Sequence, residues 1–279
     1  MSDDPRRMRC MEVWGGNRAT NSNFEMPGLE LRVFCRPHAG ADRGGDVYYV
    51  SSCASGRISR MLVADVSGHG ESVGELGIGL RDLMRRSINV IDQSQFVETL
   101  NESYAAWTET HFATAVVMTF FSPRRTLTVS SAGHPSPLVY RIETGVWEVF
   151  EDSEKSRPRT GLPLGVSEDA PFGQVTTRLE DGDMLLCYTD SLSEARDRDG
   201  NMLGPRGVCS LANTVGNAET VVSDLMHGIA RLSPDNLKDD DVTVLLCRAT
   251  GSGVPVMNNL LAPFRLLGGI ASNVTSRRS

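Results

Sequence analysis

Residues 44–70 read GGDVYYVSSCASGRISRMLVADVSGHG. Two runs in it, 47–53 and 60–66, are rich in Val, Tyr, Ile and Leu and have the composition of strands. Ala54-Ser55-Gly56-Arg57 between them reads as a turn. A hairpin centred on Ser55 and Gly56 sets Asp46 opposite Asp65, roughly 4.5–5.5 Å apart at Cα. Like charges placed so destabilise a sheet. The pair therefore calls for a cation between the two carboxylates, or for a proton on one of them. Taken alone, Asp65 is an ordinary turn or helix-capping aspartate. The second carboxylate makes that the poorer account of the pair.

The pattern recurs further along. In DMLLCYTDSLSEA (183–195) a buried strand ends on Asp190, and in NLKDDDVTVLLC (236–247) three aspartates, 239–241, precede a strand. If those two strands are antiparallel neighbours, Asp190 and the Asp240 region share an edge, as Asp46 and Asp65 do. Four strand ends then carry carboxylates to one rim. Clustered carboxylates without matching Lys or Arg are what hard divalent ions need, and no His or Cys cluster with zinc spacing competes. The donor set favours magnesium or manganese. Two such ions can lower the pKa of a water held between them and neutralise phosphoryl oxygens.

Outward from these motifs, Leu29–Cys35 alternates like a strand. Apolar positions 73, 76, 80, 83, 84, 88 and 91 predict a helix from Glu71 to about Ile91, and a second follows over 95–109. Strands are expected at 112–121, 125–132, 138–142, 146–150, 173–179, 183–188 and 242–247, with helices near 204–213 and 219–231. Strands, then two helices, then strands again indicate an α+β fold: antiparallel sheets with helices packed outside. Residues 1–28 are expected as an N-terminal arm, 29–250 as the domain, and 251–279 as a loosely attached tail.

A net charge of −7 over 279 residues argues against nucleic-acid binding and against an electrostatic membrane anchor. No apolar run approaches a membrane span, and the first ten residues lack the apolar core of a signal peptide. The six cysteines, at 10, 35, 53, 187, 209 and 247, have no Cys-x-x-Cys spacing. They read as reduced residues of a cytoplasmic protein.

GGD (44–46), DVSGHG (65–70), FATA (112–115), AGHPSP (132–137), GLPLG (161–165), GD-M-LL-YTD (182–190) and DDVT (240–243) occur in the order found in one family. Together they resemble the SpoIIE/RsbU branch of the PPM metal-dependent serine/threonine protein phosphatases, from about Leu29 to Ala249. The resemblance implies a four-layer sandwich of two antiparallel β-sheets flanked by helices, with two divalent metal ions, Mn2+ or Mg2+, at one edge. Carried over by motif, Asp65 bridges the ions and the Val66 carbonyl, Asp190 and Asp240 complete the shell. Asp46 ligates an ion or holds a water bound to one. His69 either gives a proton to the leaving serine or threonine oxygen or only orders its turn; His134 is expected to be structural.

Where the family has glycine after YTD, this chain has Ser191. If that position needs a positive φ, serine is strained there. The implied substrate is a phosphorylated protein of the anti-sigma factor antagonist kind. Regulation is expected through a partner, a second copy or metal occupancy; Gly74, Gly77 and Gly79 loosen the first turns of the helix after DVSGHG, so a partner or second copy is expected to act through helices 71–109. Two other readings remain open from the residues: a catalytically silent phosphoprotein-binding regulator, and a hydrolase of small phosphorylated metabolites.

Overall fold

The computed structural model describes residues 5–8, 12–68, 71–88, 90–108, 110–151, 161–215 and 220–252. The tail expected at 251–279 therefore lies almost wholly outside the described residues.

The first part of the chain is β1 (Arg6–Arg7), β2 (Glu12–Gly16), β3 (Thr20–Met26), β4 (Leu29–Arg36), β5 (Asp46–Cys53) and β6 (Ile58–Val66). Helices α1 (Glu71–Arg86) and α2 (Gln93–Trp107) come next, then β7 (Ala113–Phe121), β8 (Thr126–Ala132), β9 (Leu138–Arg141) and β10 (Val146–Val149). The last part is β11 (Val175–Arg178), β12 (Met184–Tyr188), α3 (Asp190–Ser193), α4 (Gly204–Ala212), α5 (Val221–Leu232) and β13 (Val242–Ala249). The strands form a seven-stranded sheet, β1-β3-β4-β13-β12-β9-β10, and a six-stranded sheet, β11-β8-β7-β6-β5-β2. Both are antiparallel except where β1 meets β3. The stretch expected as an arm thus supplies outer strands to both sheets.

Period-two alternation sorts the side chains. On β5 and β6, Tyr48, Val50, Met61 and Val63 point into the core between the sheets, with Leu31, Val33, Leu185 and Leu245 from the other sheet. Val47, Tyr49, Leu62 and Ala64 point the other way, onto Leu80 and Met84 of α1 and Phe96 and Leu100 of α2. The seven-stranded sheet carries α3, α4 and α5 on its outer face through Leu192, Val208, Leu225 and Ile229. The result is the expected helix–sheet–sheet–helix sandwich.

Helix α1 stops at Arg86, earlier than expected, and Ile91 is exposed. Asp92 starts a new helix instead, its carboxylate capping the Gln95 amide at 2.9 Å. Beneath this junction lies Arg60, buried mid-strand on β6. It donates to Thr119 Oγ1 and to the Val90 carbonyl, with its guanidinium 3.9 Å from the Phe96 ring centre. The glycines of α1 have a packing cause: a Cβ on Gly77 would lie 2.7 Å from Val47 Cγ2, and one on Gly79 would overlap the Trp107 ring. At the far edge, β10 is closed by Asn213, whose side-chain amide accepts from Trp147 N and donates to Trp147 O.

Candidate active site

The hairpin has the register read from the sequence: Asp46 pairs with Asp65 across β5 and β6. By alternation both share the face of Tyr48 and Val63, so their carboxylates lie where the two sheets meet. On the other sheet, β12 ends and Asp190 opens α3, while Asp239, Asp240 and Asp241 precede β13, which pairs with β12. Asp46, Asp65, Asp190 and Asp240 are therefore brought to one rim.

The two sheets are tied there by hydroxyls and backbone. Thr189 Oγ1 donates to Asp46 Oδ2 at 2.8 Å and accepts from the Thr243 amide at 3.0 Å. Asp241 works differently from its neighbour. Its carboxylate accepts from the amides of His38 (2.6 Å), Gly45 (2.5 Å) and Asp46 (3.2 Å), and so holds the loop that delivers Asp46. Gly44 has no side chain because a Cβ would overlap that carboxylate. Asp240 stays exposed and accepts the Asp241 amide at 2.7 Å.

The electrostatics are those of uncompensated acids. Asp46 is buried, and its carboxyl is held well above the usual carboxylate range by burial and by the charge of Asp65. Asp65 is pushed up to about 7 by burial and then by the charges of Asp190, Asp240, Asp241 and Glu194. Asp190 is pushed up to about 6 by burial, Asp240 and Glu194, and Asp240, whose carboxyl is partly desolvated although the residue is exposed, is raised as well. Among the described residues none of these four aspartates forms an ion pair with a lysine or arginine.

The donors suit hard cations. A Cβ on Gly45 would lie 3.0 Å from the Val66 carbonyl oxygen and 3.5 Å from Asp65 Oδ1. Glycine there lets the backbone pass close to both oxygens, with the Val73 Cγ1 methyl equally near. The side chains ring the rim rather than a single point: among the described residues, no three His, Cys, Asp or Glu close into one ligand shell. Carboxylates and a carbonyl, with no sulfur or imidazole, are magnesium and manganese donors.

Two expectations change. Ser191 sits inside α3 with an ordinary helical backbone, and it is not among the residues of positive φ. The strain expected there is absent, because the chain turns into a helix straight after Thr189. Asp241 and Thr189 join the site as positioning groups that the sequence reading did not single out. Glu194, one helical turn after Asp190, adds its charge to the rim; the i, i+4 spacing was the available signal. His69 and Gly70 lie outside the described residues.

Residues 55–250 match the family model described as "Stage II sporulation protein E (SpoIIE)". The chain belongs to the SpoIIE family. Among curated relatives it is similar to the phosphoserine phosphatases RsbU (26% identical; 49% of this chain, 39% of the relative) and RsbP (24%; 56% and 38%) of Bacillus subtilis. It thus spans about two fifths of the length of each. Among solved structures it resembles the RsbU and RsbW domains of a Mycobacterium tuberculosis protein, with a TM-score of 0.67 at 23% identity, over 81% of this chain and 61% of that one. It also resembles RsbX in complex with magnesium, with a TM-score of 0.61 at 17% identity, over 83% and 100%. The PP2C phosphatase domain of SpoIIE from Bacillus subtilis superimposes with a TM-score of 0.63 at 15% identity, over 86% and 64%. The fold of this SpoIIE-family chain is therefore that of the PP2C-type, or PPM, phosphatases.

Proposed function

We propose that the chain is a metal-dependent protein phosphatase acting on phosphoserine or phosphothreonine. The observation that carries the reading is the Asp46–Asp65 pair: two carboxylates opposed across a ladder, raised in pKa, with no described cation beside them. Such a pair must be neutralised by a proton or by cations, and cations are what this acidic rim is suited to take. The names of RsbU and RsbP support the same activity class.

Asp65, Asp46, Asp190, Asp240 and the Val66 carbonyl would hold two divalent ions, Mn2+ or Mg2+. When bound, the ions supply Lewis acidity toward the phosphoryl oxygens and lower the pKa of a water. The chain does the rest. Asp65 presents its carboxylate from the end of a fully paired strand, where the backbone cannot drift. Asp241 fixes the Gly45-Asp46 amides, and Thr189 holds the Asp46 carboxylate from the opposite sheet. His69 is the candidate donor to the leaving oxygen. The fitting substrate is a phosphorylated regulatory protein of the anti-sigma factor antagonist kind, in the cytoplasm. The described cysteines are all free and buried, which suits a reducing compartment, and no helix among the described residues is long and apolar enough to cross a membrane. A regulatory partner, or a second copy, would act on helices 71–109, where Ile91 and Trp107 are exposed.

Phosphate release from a phosphoserine peptide, with manganese, with magnesium and with a chelator, tests the reading. Turnover that needs the cation and stops with the chelator supports it. Cation binding without turnover makes the chain a silent phosphoprotein binder. Turnover of small phosphate esters but not of phosphopeptides makes it a metabolite hydrolase.

A further inference from the structure

His134 lies in the AGHPSP loop just beyond β8. That loop is pinned by a bridge between Ala115 and Gly133, where Gly133 takes a φ of +67°, and the His134 carbonyl accepts from Ser131 Oγ at 3.3 Å. The imidazole is 7% exposed and turned inward. Nδ1 lies 2.9 Å from Thr114 Oγ1, and Thr114 is the cross-strand partner of Asp65 on the side away from Asp46. The Tyr188 backbone lies near enough to the ring to favour a proton on it. Tyr188 is two residues from Asp190 and belongs to the other sheet. Its phenol donates to the Ser136 carbonyl of the same loop at 3.0 Å.

The loop that carries this imidazole thus ties the strand beside Asp65 to the strand that ends at Asp190. The tautomer follows from the neighbours. The Thr114 hydroxyl can donate to Nδ1, which leaves the ring proton to Nε2. Nε2 makes no hydrogen bond of full geometry, so it is a buried polar atom that calls for an explanation. Burial pushes the ring down to about 3, so it carries no charge into a rim already crowded with carboxylates.

We propose that His134 is a positioning residue, a neutral strut that sets the spacing of the two sheets at the acidic rim and with it the separation of Asp65 and Asp190. The proposal rests on the two-cation reading above. A residue that only stabilised its own turn would have no reason to reach both strands.

The test is calorimetric titration with manganese alone, on variants shown to be folded at the working temperature. His134→Ala and Thr114→Val should each weaken binding by roughly 10-fold, the usual lower size of an effect passed through a ligand's supports. Thr114→Ser, which keeps the hydroxyl, should restore it. With a phosphopeptide, kcat should fall while KM holds. Side-chain 15N shifts should show Nδ1 bare and Nε2 protonated from about pH 5 to 9, a range in which a free histidine titrates. Variants that melt earlier yet bind manganese as the wild type does would overturn the strut and leave the two-cation reading standing. A wild type that binds no manganese would overturn both. The opposite tautomer would overturn the strut alone.

Discussion

Asp46 and Asp183 are both buried aspartates, and they sit at opposite ends of the same sandwich. Asp183 precedes β12, the strand that ends beside Asp46. Its carboxylate accepts from Arg141 Nη1 at 2.9 Å, from the Ile142 amide at 2.9 Å and from the Glu180 amide at 3.1 Å. Asp46 has a threonine hydroxyl and faces another aspartate. A structural carboxylate surrounds itself with donors, because burying a charge without partners costs several kcal/mol. The far end of the molecule obeys that rule and the near end breaks it. The difference marks where a ligand belongs, independently of any family likeness.

The contrast can be broken at either end. The largest effect is expected from Asp65→Asn, which should lower phosphopeptide turnover by about 10³-fold or more, several kcal/mol of transition-state stabilisation. In chelator the same variant should melt about 2–4 °C higher, the shift that about 1 kcal/mol makes in a domain of this size, because it relieves repulsion. Single-turnover kinetics and calorimetric melting check the two halves. A variant that melts lower in chelator would show that the acids are paired after all.

Asp183→Ala at the opposite end should do the reverse. It takes the carboxylate from Arg141 and strands two amides, so roughly 2–4 kcal/mol of stability should go, lowering the melting temperature by about 5–15 °C. The manganese affinity of the folded protein should not change, which titration below the transition would establish.

The pH response sharpens the same point. Asp65 and Asp190 have folded-state values of about 7 and about 6. Both lie above the ordinary carboxylate value of about 3.9 that applies to the unfolded chain. Between these limits the native state binds more protons, so the stability contributed by the site is fully present below about pH 4 and is lost as pH rises toward 7. In chelator the melting temperature should therefore fall from about pH 5 to pH 7.5, and Asp65→Asn should flatten the slope. Saturating manganese should remove it, and cation affinity should climb over the same range. A rise with pH in chelator would reverse the sign of the argument.

The smallest effect concerns Ser191. Because it sits inside α3, Ser191→Gly should cost about 0.5–1 kcal/mol and give no gain in cation affinity. A gain would mean that the position adopts a left-handed backbone when the site is loaded.

The hairpin register was legible because its two apolar runs flank one short turn with no bulge, and the numbering alone then paired Asp46 with Asp65. That antiparallel sheets carry helices on the outside was legible because periods of two and of three to four alternate along the chain; the two-sheet, four-layer order followed only from the family resemblance. The division of labour within Asp239-Asp240-Asp241 was not. Three identical side chains differ only in which one meets the amides of His38, Gly45 and Asp46, and those contacts span about 200 residues of sequence. Helix α3 is four residues long and too short for any periodicity to announce it. The reason for Gly77 and Gly79 was hidden too, since only the packed structure shows Val47 and Trp107 pressing on them.

Asn213 has a consequence for how this molecule meets its neighbours. A sheet that ends in a bare strand invites another chain to add itself by hydrogen bonding. On β10 the outward N–H and C=O of Trp147 are already held by a side-chain amide that imitates one rung of a ladder. Strand addition at that margin would first have to evict Asn213, and α4, which leads directly into it, would have to move aside. At this margin of the seven-stranded sheet, the rung at Trp147 is thus already taken by Asn213, with Cys209 on the same carbonyl, and a second chain finds it occupied.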